Sequence, residues 1–115
     1  MTENQNHASV SIYMDAIKER KTINPILMNL SGLTSMADYF IVCSARSVRH
    51  ASAIADFMYR YLKDRKKHPL GREGAADGQW HLLDYGDVVI HIFFEPAREF
   101  YDLEGLWSDA GIVSI

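Results

Sequence analysis

The stretch Trp80 to Phe94, WHLLDYGDVVIHIFF, restricts the fold of this chain more than any other segment. Its two apolar runs, rich in aliphatic, aromatic and β-branched residues, flank Asp84-Tyr85-Gly86-Asp87, which predicts a β-hairpin. Gly86 supplies the positive φ that a tight primed turn needs. Placing Asp84 opposite Asp87 pairs Leu83 with Val88, Leu82 with Val89, His81 with Ile90 and Trp80 with His91. Because side chains alternate along a strand, one face then carries His81, Leu83, Val88, Ile90, Ile92 and Phe94, and belongs against a packed layer. The other carries Trp80, Leu82, Asp84, Asp87, Val89, His91 and Phe93. An antiparallel pair often buries one face and shows the other, so Trp80, Leu82, Asp84, Asp87, His91 and Phe93 are the candidate partner-binding residues. The alternative is that both faces are covered and Trp80 is an ordinary core residue.

Upstream, Met1 to His7 is polar and reads as a frayed end. From Ser9 the spacing Val10, Tyr13, Met14, Ile17 predicts a short amphipathic helix, ended before Pro25. Ile26 to Leu30 reads as a first strand. Tyr39 to Cys43 is a continuous apolar run, the pattern of a central strand covered on both faces. Ser47 then suits the N-cap of the longest helix, predicted to about Lys66, with Val48, Ala51, Ile54, Ala55, Phe57, Met58, Tyr61 and Leu62 on its apolar stripe. Its end carries Lys63, Arg65, Lys66 and Lys67, which read as a solvated terminus offsetting the helix dipole in preference to a nucleic-acid patch. Gly71 to Gly78 is expected to be a flexible loop. Pro96 favours the start of a short helix limited by Gly105, with Leu106 and Trp107 packing onto the sheet and Asp109 to Ile115 left as a tail. The elements alternate, which predicts a single α/β domain over residues 1–115, with its core about 9–107 and a small mixed sheet of about four strands.

A net charge of −3 disfavours general nucleic-acid binding and suits a basic protein partner. Cys43, the only cysteine, lies inside an apolar run and reads as a buried small hydrophobe in a reducing compartment. The first residues match neither a secretory signal nor a transit peptide, and no apolar run reaches membrane-spanning length, so the expected location is the cytoplasm. His7, His50, His68, His81 and His91 show no zinc-ligand spacing, and no G-x-S-x-G nucleophile is present. The strand-to-helix junction at Ser44-Ala45-Arg46-Ser47 sits where open α/β sheets bind ligands, yet it lacks the glycines of a dinucleotide or phosphate loop.

In order along the chain stand Ala37-Asp38-Tyr39-Phe40-Ile41-Val42-Cys43, Ser47 with Arg49-His50, and Ile54-Ala55-Asp56. Glu73-Gly74, Trp80, Asp84 to His91, and Tyr101-Asp102-Leu103-Glu104-Gly105-Leu106-Trp107 follow. With these motifs the chain resembles the ribosomal silencing factor family, also called Iojap-like, from about the first helix to Trp107. It departs at Ala45, where the family commonly has glycine, and at Asn29, where aspartate is frequent. The resemblance implies a nucleotidyltransferase-like α/β fold without its catalytic motif. It further implies a stoichiometric binder with no cofactor, not an enzyme, that docks on ribosomal protein L-fourteen of the large subunit. There it would block small-subunit joining and repress translation when nutrients are scarce. Organelle relatives point to the alternative of a large-subunit assembly factor. A nucleotidyltransferase-like enzyme using Ser44 and Ser47 is the other rival. No sequence-specific nucleic-acid contact or membrane partner is implied, and a homodimer remains open.

Overall fold

The computed structural model describes residues 2–115, with side chains described from Val10 onward. Six strands form one mixed sheet in the order β3-β4-β5-β2-β1-β6. The parallel pair β2 (Tyr39–Ala45) and β5 (Val88–Phe94) lies at its centre, with Ile41 beside Ile90 and Cys43 beside Ile92. β2 carries the uninterrupted apolar run Tyr39 to Cys43, β5 is apolar except for His91, and neighbouring layers cover both faces, as expected for parallel strands.

Helices α1 (Thr2–Lys18) and α2 (Val48–Asp64) cover one face. Val10, Tyr13 and Ile17 of α1 and Ala51, Ile54, Met58 and Leu62 of α2 pack there on Leu27, Ile41, Leu83, Ile90 and Ile92. The helix α2 begins as its sequence indicates, the Ser47 hydroxyl accepting from the His50 N–H at 2.9 Å. The helix α1 starts at Thr2 instead of at Ser9. Its first turns contain no glycine or proline, and a helix whose apolar stripe is anchored extends at little cost into such a segment. Met1 and the side chain of His7 lie outside the described residues.

On the opposite face, α3 (Glu95–Tyr101) and α4 (Leu103–Leu106) are short. Ala97 and Leu103 pack with Ile26, Met28, Val42 and Phe93, and Trp107 meets Phe40 edge-on. Leu106, expected on the sheet, is instead 71% exposed.

Three strand assignments differ from the sequence expectation. The first strand, β1 (Ile23–Asn29), starts earlier than Ile26, and Pro25 lies within it at a register break between Ile23 and Ile26. Asn24 takes φ 49 there, a bulge that tolerates a residue without an N–H donor. The expected loop contains β3 (Gly71–Gly74), and the expected tail contains β6 (Gly111–Ser114) paired with β1. Both are four-residue edge strands with no apolar alternation covering two turns of the pleat, so only pairing with a neighbour defines them.

The hairpin of β4 (Trp80–Asp84) and β5 forms, in a register different from that expected. Leu83 faces Ile90 and Trp80 faces Phe93, because the tight turn is centred on Gly86-Asp87, with the Tyr85 N–H donating to the Val88 carbonyl. Gly86, at φ 88, occupies the first central position, the place for glycine in a type II′ turn. The displacement is two residues, an even number, so every strand side chain keeps its expected face.

Candidate functional site

Trp80 is held at one end of β4, with its indole stacked on Phe93 at 5.3 Å and packed on Tyr101 at 4.8 Å between ring centroids. Its Nε1–H donates to Nδ1 of His91 at 3.1 Å. The ring is half-buried: one side rests on the core, and the other lines an open groove of about 240 Å³ with Leu82, Tyr101, Glu73, Gly74 and Ala75. The groove therefore lies between the β3–β4 edge of the sheet and the end of α3. Close approach of β3 to β4 shapes its floor, since a Cβ on Gly74 would stand 2.5 Å from the Trp80 carbonyl oxygen. Phe100, 83% exposed, meets Tyr101 edge-on and extends the apolar surface beyond the groove.

The six residues expected to bind a partner separate into three groups. Trp80 and Leu82 line the groove. His91 and Phe93 share their face but are buried, so they support Trp80 from below and present no surface to a partner. Asp84 and Asp87 belong to the other end of the hairpin. Asp84 accepts from the Gly86 N–H at 2.8 Å, and Asp87 is exposed while its carbonyl accepts from the N–H groups of Asp38 and Tyr39. The Asp84 carboxylate thus serves the turn, and Asp87 ties the turn to the start of β2 through its backbone. The choice of Trp80 as either core or surface dissolves, because two short helices cover its face incompletely.

Tyr101 and Glu73 were not among the candidates. Hairpin alternation could not reach them, being blind to residues brought in from α3 and from an edge strand. Both fall inside the motifs Glu73-Gly74 and Tyr101 to Trp107 that carry the family resemblance.

Burial pushes the His91 imidazole down to about 4, so it is neutral at physiological pH. Accepting the indole N–H at Nδ1 requires that nitrogen to lack a proton, which leaves the hydrogen on Nε2. His81 points to the other face of the sheet, as expected, and burial also lowers its pKa.

The strand-to-helix junction is occupied by structural bonds. The Ser47 hydroxyl caps α2, and Nδ1 of His50 accepts from the Arg46 N–H at 3.0 Å. Ser44 is buried and its hydroxyl accepts from Arg98, whose guanidinium also donates to the Asn24 carbonyl and to Glu104. Arg98 thereby ties the bulged start of β1 to the end of β2 and to α4, at the wall of a cavity of about 460 Å³ rimmed by Glu95, Glu99, Asp102 and Glu104. Ala45 is fully buried in the core. Burial pushes the Cys43 thiol up to about 12, keeping it protonated and unreactive. Among the described residues no three His, Cys, Asp or Glu side chains gather to hold a metal ion.

Residues 3–115 match the family described as Ribosomal silencing factor during starvation. The chain belongs to the ribosomal silencing factor family. The ribosomal silencing factor of Halalkalibacterium halodurans is 30% identical over 110 residues, covering 96% of this chain and 94% of that protein. The chloroplastic protein Iojap of Arabidopsis thaliana is 39% identical over 72 residues, which are 63% of this chain and 30% of that protein. A crystal structure of a Chromobacterium violaceum protein superposes with TM-score 0.80 at 34% identity, over 85% of this chain and 82% of that one. Two walls of the groove, Glu73-Gly74 and Tyr101, are remote in sequence and adjacent in the fold.

Proposed function

We propose that the protein represses translation by docking on the large ribosomal subunit, at ribosomal protein L-fourteen, and excluding the small subunit. The observation that carries this reading is the open aromatic groove around Trp80, Leu82 and Tyr101 in a member of the silencing factor family. A half-buried Trp beside a Tyr that is 41% exposed gives large, rigid contact area at small entropic cost, as at the centre of a protein interface. Glu73 on the rim suits a basic partner, and steric exclusion needs no catalytic group. The factor acts as a single domain in the cytoplasm; no described helix is long and apolar enough to cross a membrane.

A nucleotidyltransferase-like activity at Ser44 and Ser47 has less support, because the Ser47 hydroxyl and the His50 ring are engaged in local structural bonds and the Ser44 hydroxyl accepts from Arg98. The assembly reading has support in a mouse protein named Mitochondrial assembly of ribosomal large subunit protein 1, 38% identical over 74 residues. Such a role would use the same groove with a different consequence.

Sedimentation of ribosomal subunits with the wild-type protein and with Tyr101→Ala tests the proposal. The wild type is expected to travel with large subunits and reduce joined ribosomes. The variant, folded because Tyr101 is surface-exposed, is expected to bind at least tenfold more weakly, on the order of 1.4 kcal/mol. Association with small subunits alone, or undiminished binding by Tyr101→Ala, would overturn it.

A further inference from the structure

Residues 63–67, Lys-Asp-Arg-Lys-Lys, hold four of the chain's twelve lysines and arginines and one carboxylate. The net −3 therefore combines +3 in these five residues with −6 over the remainder, so charge is segregated on the molecule. All five are exposed. The two ion pairs among the described residues are Arg72 with Asp56 and Arg98 with Glu104, so no carboxylate neutralises the four cations.

The helix end itself breaks a local rule. Lys67 N–H donates to the Leu62 carbonyl at 2.8 Å and Lys66 N–H to the Lys63 carbonyl at 3.0 Å, the paired bonds of a Schellman terminus. Its left-handed position, normally glycine, is held by Lys66 at φ 64. Lysine there strains the backbone, and Lys63 in the last turn already complements the dipole. A charge placed at a conformational penalty marks a functional surface more than a solvated end. Beside it, Arg65 lies 3.4 Å over the Tyr61 ring and donates to the Tyr61 carbonyl at 2.9 Å, which fixes its guanidinium plane without neutralising it.

We propose that this end of α2 contacts the phosphate backbone of RNA, as a second attachment point independent of the Trp80 groove. The helix α2 packs on one face of the sheet and the groove opens on the other side, so the two surfaces can be engaged together. The contact is sequence-independent, made by point charges and one ordered guanidinium. The acidic remainder does not cancel it locally, since charges beyond about 8 Å are screened at physiological ionic strength.

The test measures anisotropy of a fluorescein-labelled short RNA duplex titrated with the full-length protein between about 50 and 200 mM salt. Four phosphate contacts give a log–log salt slope of about −3.6, so affinity falls on the order of 150-fold over that range. Lys63→Gln with Lys67→Gln is expected to reduce the slope by about 2. Lys66→Gly is expected to reduce it by about 1 while raising the thermal midpoint, a combination that a purely structural lysine would not give. Absence of duplex binding at the lowest salt, or a slope unchanged in these variants, would overturn the proposal. Equal competition by poly-glutamate would also overturn it, assigning the surface to an acidic protein.

Discussion

Acidification should destabilise this protein through His91, and the size of the effect can be worked out. The imidazole is 3% exposed, packed edge-on to Phe40 at 4.5 Å and stacked near Trp80, with no charged group among those ring contacts. Burial lowers its pKa to about 4, against about 6.5 in the unfolded chain. The folded value is the lower one, so between these limits the unfolded chain binds more protons and stability falls as pH falls. Linkage over the interval from pH 7 to pH 5 gives a loss of about 2 kcal/mol, most of it below pH 6.5. For a domain of this size that is a drop of roughly 8 °C in thermal midpoint. Protonation of Nδ1 also removes the acceptor for the Trp80 indole, so the groove loosens together with the core. The assay is chemical denaturation at pH 7, 6 and 5, comparing the wild type with His91→Gln. Glutamine does not titrate and its carbonyl can still accept from Trp80, while contributions from other groups cancel in the difference. If both proteins lose the same stability between pH 7 and pH 5, the burial argument for His91 is wrong.

Trp80→Ala should lower stability by about 2 kcal/mol, less than for a fully buried tryptophan, and weaken large-subunit binding by about 2 kcal/mol or more. Denaturation and sedimentation on the same preparation check this, and undiminished binding by a folded variant would remove Trp80 from the interface. Ser47→Ala should destabilise by about 1 kcal/mol through loss of the α2 cap, measurable by urea denaturation, with no effect on subunit binding. Gly74→Ala should cost about 1–3 kcal/mol, because its Cβ would press on the Trp80 carbonyl, and should distort the groove; an unchanged thermal midpoint would refute that close approach.

Elements whose pattern is local are legible from the residues alone. The α2 stripe from Ala51 to Leu62 and its Ser47 cap follow from helical spacing and a single side-chain bond. The apolar runs of β2 and β5 identify the buried central strands, and alternation sorts Trp80, Leu82, His91 and Phe93 onto one face even though the pairing register differs from expectation. Family membership was also legible, because ordered motifs survive where no single one is diagnostic. Which of those side chains stay accessible depends on packing between elements. His91 and Phe93 face the same way as Trp80, but their exposure depends on how far α3 and α4 extend over the sheet, and no residue-to-residue period encodes that coverage. Edge strands β3 and β6 have four residues each and exist through hydrogen bonds to β4 and β1, so their own sequences carry almost no signal. Tyr101 and Glu73 join Trp80 from positions about twenty residues downstream and seven upstream. Strand periodicity reports the direction of a side chain within one element. A groove is a property of the gap between elements, and packing sets that gap.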